Sequence, residues 1–275
     1  MVHTLPTGEQ VCGVTSLDNH LYVLRDLDQI EIYDVDSYSL LRCLTVHGLG
    51  YAYDIVACGH NRCAYIPDCS GHSVHRVALS DDTVTQWPVT DIPAGLSLTV
   101  THGVLVTCPT VRKIKEFSTD GQLLRELTLP EDVVSPWHSI KLSSGEFIVC
   151  HCVHDPLGLH RVCLIGSHGG VVDSHGGLAG SGSQKLHLPA HMAVDRNGFV
   201  FVVNLKTGRV LQLSPALTYV RGVAERECDD QVMWVPRDDD DQSMMTFRIH
   251  LDVDRRLLYI AENGFRYGRV VVVGV

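Results

Sequence analysis

The sequence predicts an all-β fold in which six blades, each of four antiparallel strands, close into a single ring. Three observations predict it. An apolar strand, a polar turn and a second apolar strand recur six times along the chain, and no long segment has helical periodicity. The length of 275 residues also suits a one-domain ring of this kind. We therefore interpret residues 1–275 as one six-bladed β-propeller.

The spacing of the repeats is regular enough to define the blades. The second strands begin near residues 21, 63, 104, 146, 199 and 257, so that the intervals are 42, 41, 42, 53 and 58 residues. The two longer intervals contain a Gly/Ser-rich stretch at 176–184 and an acidic stretch at 224–243. A period of about 40 residues is typical of one propeller blade.

Each repeat continues into a third strand, and often into a fourth. The predicted third strands are 29–33, 73–78, 113–117, 159–164, 209–213 and 269–273. The sixth repeat ends at Val275 after its third strand. We therefore expect the segment from His3 to Pro6 to supply the missing fourth strand and close the ring, which removes an exposed strand edge.

Composition and charge narrow the class of protein. The ten cysteines lie mostly within apolar runs, and the first residues lack the charged and apolar regions of a secretory signal. We expect reduced, buried thiols and a cytoplasmic location. No run of 18 apolar residues is present, so no membrane span is expected. The net charge of −10 disfavours polyanionic partners.

The fifth and sixth repeats carry a recognisable motif. In the fifth, a Gly-rich turn is followed by Pro189, an apolar strand reaching Asp195, and a second strand ending at Asn204, with Arg209 opening the third. This pattern resembles the NHL repeat, well over residues 170–275 and weakly elsewhere, because the first four repeats lack the Pro and the Asn–Arg pair.

The resemblance implies two kinds of function. NHL propellers of tripartite-motif ubiquitin ligases bind protein or RNA substrates, whereas a zinc-dependent peptidylglycine amidating lyase uses the same fold for catalysis. The chain has no paired Cys-x-x-Cys spacings for a RING or B-box. It therefore corresponds at most to the recognition part of such a ligase system.

We predict a non-enzymatic platform for a protein or peptide ligand. In such a ring, the loops that lead into the first strands and those that join second to third strands gather on one face. Aromatic and arginine side chains on that face are the types that dominate binding hot spots. The predicted ligand-binding residues are Tyr53, Asp54, Trp137, His138, His191, Asn204, Arg209, Phe247, Arg248 and Asn263.

A metal-dependent enzyme, lactonase-like or amidating-lyase-like, is the first alternative. It requires ligands from several first strands that converge on the axis. His138 occupies such a position, but the matching positions of other repeats align with Tyr53, Ala190 and Phe247. One imidazole does not make a zinc site, so we expect neither a metal nor a cofactor. The run from Cys150 to His154 resembles a metal-binding cluster in composition but is interpreted as ordinary strand-end residues.

An RNA-binding propeller is the second alternative. It depends on a local basic cluster of Arg112, Lys113 and Lys115 that would have to offset the acidic balance of the chain. The acidic run 238–241 would oppose RNA at its rim and is interpreted as a solvated loop. Nucleic acid is therefore the less favoured partner.

Overall fold

The ring predicted from the sequence is confirmed. The computed structural model describes residues 3–5, 10–25, 28–152, 158–180, 182–225, 247–263 and 268–275, with only the backbone of Phe247. These residues form six four-stranded sheets, and the strands within each sheet pair antiparallel. Five sheets consist of four consecutive strands, which we call blades I to V. Blade VI combines the two ends of the chain.

The strand bounds follow the repeat closely. The first segment is β1 (His3–Thr4), and blade I contains β2 (Val11–Leu17), β3 (His20–Arg25), β4 (Gln29–Asp34) and β5 (Leu40–Thr45). Blade II contains β6 (Val56–Cys58), β7 (Cys63–Asp68), β8 (Ser73–Ala78) and β9 (Val84–Pro88), and blade III contains β10 (Gly95–Leu98), β11 (Val104–Cys108), β12 (Lys113–Phe117) and β13 (Leu123–Thr128). Blade IV contains β14 (Pro136–Lys141), β15 (Phe147–Cys152), β16 (Leu159–Ile165) and β17 (Val171–Leu178). Blade V contains β18 (Pro189–Val194), β19 (Val200–Asn204), β20 (Arg209–Leu213) and β21 (Tyr219–Glu225), and blade VI contains β22 (Phe247–Asp252), β23 (Leu257–Asn263) and β24 (Gly268–Gly274).

The N-terminal strand closes the ring, as expected. Strand β1 pairs antiparallel with β24, with His3 opposite Val272. The next residue, Leu5, donates its N–H to the Val270 carbonyl at 2.9 Å, and its side chain is buried between blades VI and I. The fourth strand of blade VI therefore comes from the start of the chain.

The core consists of six apolar clusters, one at each interface between neighbouring blades. The middle strands supply most of these side chains because both faces of a blade are covered by its neighbours. The outermost strands are different, since β5, β13 and β17 are largely exposed. Burial is therefore greatest in second strands such as β7, β11 and β15 and least in these outermost strands.

Helix contributes little to the fold. The described residues include 3-10 helices at Pro109–Val111 and Leu205–Thr207 and no α-helix. Within the same residues, no helix is long and apolar enough to cross a membrane. The nine described cysteines are unbonded, and burial raises the pKa of the Cys108 and Cys69 thiols to about 12. Cys228 lies outside the described residues.

Candidate functional site

A recurring irregularity at the start of the first strands builds one layer of side chains around the axis. In blades I, IV and V the strand register shifts directly before Gly13, His138 and His191. Such a bulge re-aims the residue that follows it. Contacts with these residues place members of the other blades at the same level. In blade order, the layer consists of Gly13, Asp54, Gly95, His138, His191 and Arg248.

The bulge corrects the alignment made from the sequence. Residue-by-residue matching aligned His138 with Ala190 and found a single imidazole near the axis. In the structure His191 corresponds to His138, and the rings of the two side chains lie 3.9 Å apart. Blade II likewise contributes Asp54 rather than Tyr53 to the layer.

Asp54 is the acceptor at the centre of this layer. Its Oδ1 accepts the Ile55 N–H at 2.9 Å, and its Oδ2 accepts the Leu96 N–H at 2.8 Å. The same Oδ2 lies 3.2 Å from His191 Nε2. The carboxylate therefore joins blades II, III and V, and its side chain is almost fully buried.

The two histidines are held by complementary hydrogen bonds. His138 Nε2 lies 2.9 Å from the Leu96 carbonyl oxygen, and His191 Nδ1 is 3.5 Å from the Ile249 nitrogen. A carbonyl oxygen only accepts, so His138 Nε2 must donate to it, and a backbone N–H only donates, so His191 Nδ1 must accept from it. Each neutral ring therefore carries its proton on Nε2. His138 Nδ1 is buried and has no hydrogen-bond partner among the described residues.

Arg248 completes the connection between the sixth blade and the second. Its Nε donates to the Tyr53 carbonyl at 2.7 Å, and the residue is only 5% exposed. The glycines of the layer make room for these groups. A Cβ on Gly95 would lie 2.5 Å from the Trp137 carbonyl oxygen, and one on Gly13 would lie 2.9 Å from the Ile55 nitrogen. Small residues on two blades thus admit the long polar side chains of the others.

Burial fixes the charges of the layer. Burial alone would raise the pKa of the Asp54 carboxyl, but His191, and after it His138 and Arg248, lower that pKa to about 2. Burial, reinforced by proximity to His191, lowers the pKa of His138 to about 3. Burial also lowers the pKa of His191 against the attraction of Asp54. At neutral pH, one carboxylate and one guanidinium therefore balance each other beside two neutral imidazoles.

A second polar contact lies deeper along the axis. His250 Nε2 is 2.9 Å from the Ser16 hydroxyl, and that hydroxyl also donates to Asp252 Oδ2 at 3.3 Å. Burial lowers the pKa of His250 to about 4. Sequence reasoning did not select these residues, because their partners lie more than 230 positions apart and no motif connects them.

The two predicted asparagines lie away from the axis and hold inter-blade segments. Asn204 accepts the His187 N–H at 2.5 Å and donates to the Lys185 carbonyl at 2.9 Å. Asn263 accepts the Val11 N–H at 2.5 Å. Both amides are buried at the ends of second strands. Their contacts give these side chains a role in the architecture of the ring.

Three aromatic residues lie on the face where the first strands begin, in the loop before β6 or at the start of β14. Tyr53 and Trp137 are half-buried, and Tyr51 is 50% exposed. We call these three residues the mouth. Of the other predicted residues, Arg209 pairs with Glu225 at 2.6 Å. The side chain of Phe247 and the acidic run 238–241 lie outside the described residues.

Two of the three basic residues considered for RNA, Lys113 and Lys115, are paired with carboxylates. Lys115 is buried, and its Nζ lies 2.6 Å from Asp91, while Lys113 lies 2.7 Å from Glu126. Glu126 also lies 3.5 Å from Lys115. These carboxylates offset the positive charge of the two lysines, which a phosphate backbone would need.

Comparison with known proteins shows the fold. No protein-family profile matches the chain, and no curated protein matches it. A streptogramin B lyase structure superposes with a TM-score of 0.66 at 10% identity, covering 100% of this chain and 98% of that one. The β-propeller domain of Myceliophteria thermophila Cps50 (Swd1) gives 0.64 at 11% identity, covering 100% of both chains. A Bacteroides thetaiotaomicron protein of unknown function gives 0.70 at 16% identity, covering 99% of this chain and 75% of that one.

Proposed function

We propose that the protein is a non-enzymatic platform that binds a protein or peptide at the mouth formed by Tyr51, Tyr53 and Trp137. The observation that carries this proposal is that three aromatic side chains stay partly exposed on the face where the first strands begin. Tyrosine and tryptophan contribute large apolar contact area together with a polar group, which suits them to binding hot spots.

The filled polar layer supports binding over catalysis. Asp54 and the Nε2 groups of both imidazoles are engaged by partners within the ring, and the layer joins five blades across the axis. Such a floor supports a ligand that rests on the mouth. The likeness to the Swd1 propeller domain and to a lyase concerns the fold alone. The choice between a binding platform and an enzyme therefore depends on the residues of this chain.

The test compares mouth variants with a matched rim variant. We would place a photo-crosslinking amino acid at Thr90, an exposed residue of the loop before β10, and identify adducts from extracts of the source cells. Y51A and W137A should each abolish the adducts or weaken the isolated complex by about 2 kcal/mol. L124A, which removes an exposed leucine from the outer strand β13, should leave binding unchanged.

The choice of variants follows from burial. Arg248 and His138 were predicted as contact residues, but both are buried, so their truncation would disturb the ring as well as any ligand. Equal loss of adducts in Y51A and L124A would contradict the proposed site. Salt-sensitive binding of a single-stranded RNA oligomer that is lost in K113A would support the RNA alternative instead.

A metal-dependent enzyme is the second candidate function, and one observation favours it. One potential ligand atom from each of Asp54, His138 and His191 lies within 4.8 Å of the others, and all three residues are buried. His138 Nδ1 has no described partner, while its Nε2 proton is held by a carbonyl, as in many histidine ligands. A carboxylate and two imidazoles fit zinc, although Asp54 and His191 would have to exchange their mutual hydrogen bond for the ion.

Metal analysis separates the two candidates. The platform proposal predicts less than about 0.1 zinc per chain after purification without chelators, and no change in melting temperature on adding equimolar ZnCl₂. About one zinc per chain, together with stabilisation that is lost in H138Q, would support the enzyme. H60Q, which changes an exposed histidine on a turn, serves as the matched control.

A further inference from the structure

A groove lies between blades V and VI at the end of the ring opposite the mouth. It is formed around the turns that join first to second strands, and it has a volume of about 360 Å³. This size is within the range of sites that accommodate a small ligand or one or two side chains. Its lining combines apolar residues with three arginines. The arginines are Arg196, Arg221 and Arg256.

The floor of the groove is apolar and firmly packed. Phe201 and Leu251 are at most 9% exposed and belong to the cluster between blades V and VI. Phe199 and Val253 pack against the same cluster while remaining partly exposed. An apolar group that entered the groove would therefore meet a preformed surface.

Two of the three guanidinium groups around the groove have no carboxylate partner among the described residues. Arg196 pairs with Asp254. Arg221 donates its Nε only to the neutral Gln212 amide, at 2.7 Å, and the exposed Arg256 side chain has no described carboxylate partner. The acidic lining residue is Asp195, whose Oδ1 already accepts two backbone N–H groups of its own turn, at 2.9 Å each.

We infer that this groove binds an acidic peptide segment that carries an apolar side chain. The apolar side chain would contact Phe199 and Val253, and carboxylates on either side of it would pair with Arg221 and Arg256. Guanidinium groups suit this task because they bind carboxylates in a bidentate geometry. Two guanidinium groups without carboxylate partners suit a short acidic segment, whereas the net charge of −10 disfavours an extended polyanion.

This site is independent of the mouth, because the two lie at opposite ends of the blades. The probe is a fluorescein-labelled pentapeptide, Asp-Glu-Phe-Glu-Asp, measured by fluorescence anisotropy at 50 mM and 300 mM NaCl. Its matched control, Asn-Gln-Phe-Gln-Asn, keeps the size and the aromatic ring. We expect saturable, salt-sensitive binding of the acidic peptide and at least tenfold weaker binding of the control.

Variants of the chain locate the binding. R221Q and R256Q should each weaken the acidic peptide at least tenfold, whereas R62Q, which removes an exposed arginine near blades I and II, should not. Unchanged melting temperatures would show that the fold is intact. No saturable binding up to 1 mM, equal binding of the neutral peptide, or equal loss in R62Q would overturn the inference. Tighter binding of a ten-nucleotide RNA to the same groove would overturn it in favour of nucleic acid.

Discussion

The axis and the rim of the ring place the same residue type in opposite environments, as two glycines and two aspartates show. A methyl group added to Gly95 on the inner strand β10 would lie 2.5 Å from the Trp137 carbonyl oxygen, whereas one added to Gly177 on the outer strand β17 would meet nothing within 4 Å. The inner carboxylate of Asp54 is buried, whereas Asp82 on the rim forms an exposed pair with Arg42. A carboxylate or a glycine should therefore contribute strongly to stability at the axis and little to stability at the rim.

The largest expected effect is the loss of the inner carboxylate. D54A leaves the Leu96 N–H, His191 and Arg248 without their buried anionic neighbour, and we expect a loss of about 3 to 5 kcal/mol in the free energy of unfolding. R42A, which breaks the exposed pair on the rim, should cost at most about 1 kcal/mol. Urea denaturation measures both. Similar losses in the two variants would remove the distinction between axis and rim.

A methyl group added at the two glycines gives a smaller effect. G95A forces a Cβ against the Trp137 carbonyl and the His138 ring, and overpacking of this kind typically costs about 1 to 3 kcal/mol. G177A adds the same methyl group in open space and should change stability by less than about 0.5 kcal/mol. Thermal unfolding of the pair checks this difference. Equal stability of G95A and G177A would contradict the tight packing at Gly95.

The pH dependence of stability should also originate at the axis. The pKa of His138 is about 3 and that of His250 about 4 in the folded ring, below the ordinary 6.5, so the unfolded chain binds protons first. Stability should therefore fall as the pH decreases from 6.5 towards these values. The pKa of Asp54, about 2 against an ordinary 3.8, extends the loss from about pH 4 to pH 2.

Melting temperatures between pH 7.5 and 3 test this dependence. H250N should flatten the part of the curve between pH 6.5 and 4, because it removes one group that the folded state keeps neutral. The exposed His60 provides the rim control, and H60N should leave the curve unchanged. A curve that stays level down to pH 4 in the unsubstituted chain would show that the axial histidines are not neutral in the folded state.

The fold was predictable from the sequence because local patterns repeat. Strands such as β8 (Ser73–Ala78) and β12 (Lys113–Phe117) have the predicted bounds, and the missing sixth-blade strand indicated closure by the N-terminus. These features depend on apolar runs, turns and spacing, which are properties of neighbouring residues. The likeness to NHL repeats stays a resemblance, because the comparisons show the propeller fold and no family profile matches.

The polar layer was only partly predictable. Its four polar members were selected as separate residues on one face, but Asp54 and His191 are 137 positions apart, and ring closure alone brings them together. The bulges before His138 and His191 displaced the alignment by one residue, and this displacement hid the second imidazole. The groove between blades V and VI was not predictable from the sequence, because its three arginines come from two separate turns and a strand.

The central claim is that Asp54 and His191 tie the blades together across the axis. A double-mutant cycle of D54N and H191Q, read by urea denaturation, tests it most directly. The structure predicts a coupling free energy of about 1 to 3 kcal/mol for this pair, whereas D54N combined with the distant rim variant R62A should be additive within about 0.5 kcal/mol. Additivity in both pairs would contradict the claim and leave the axial residues free for another role.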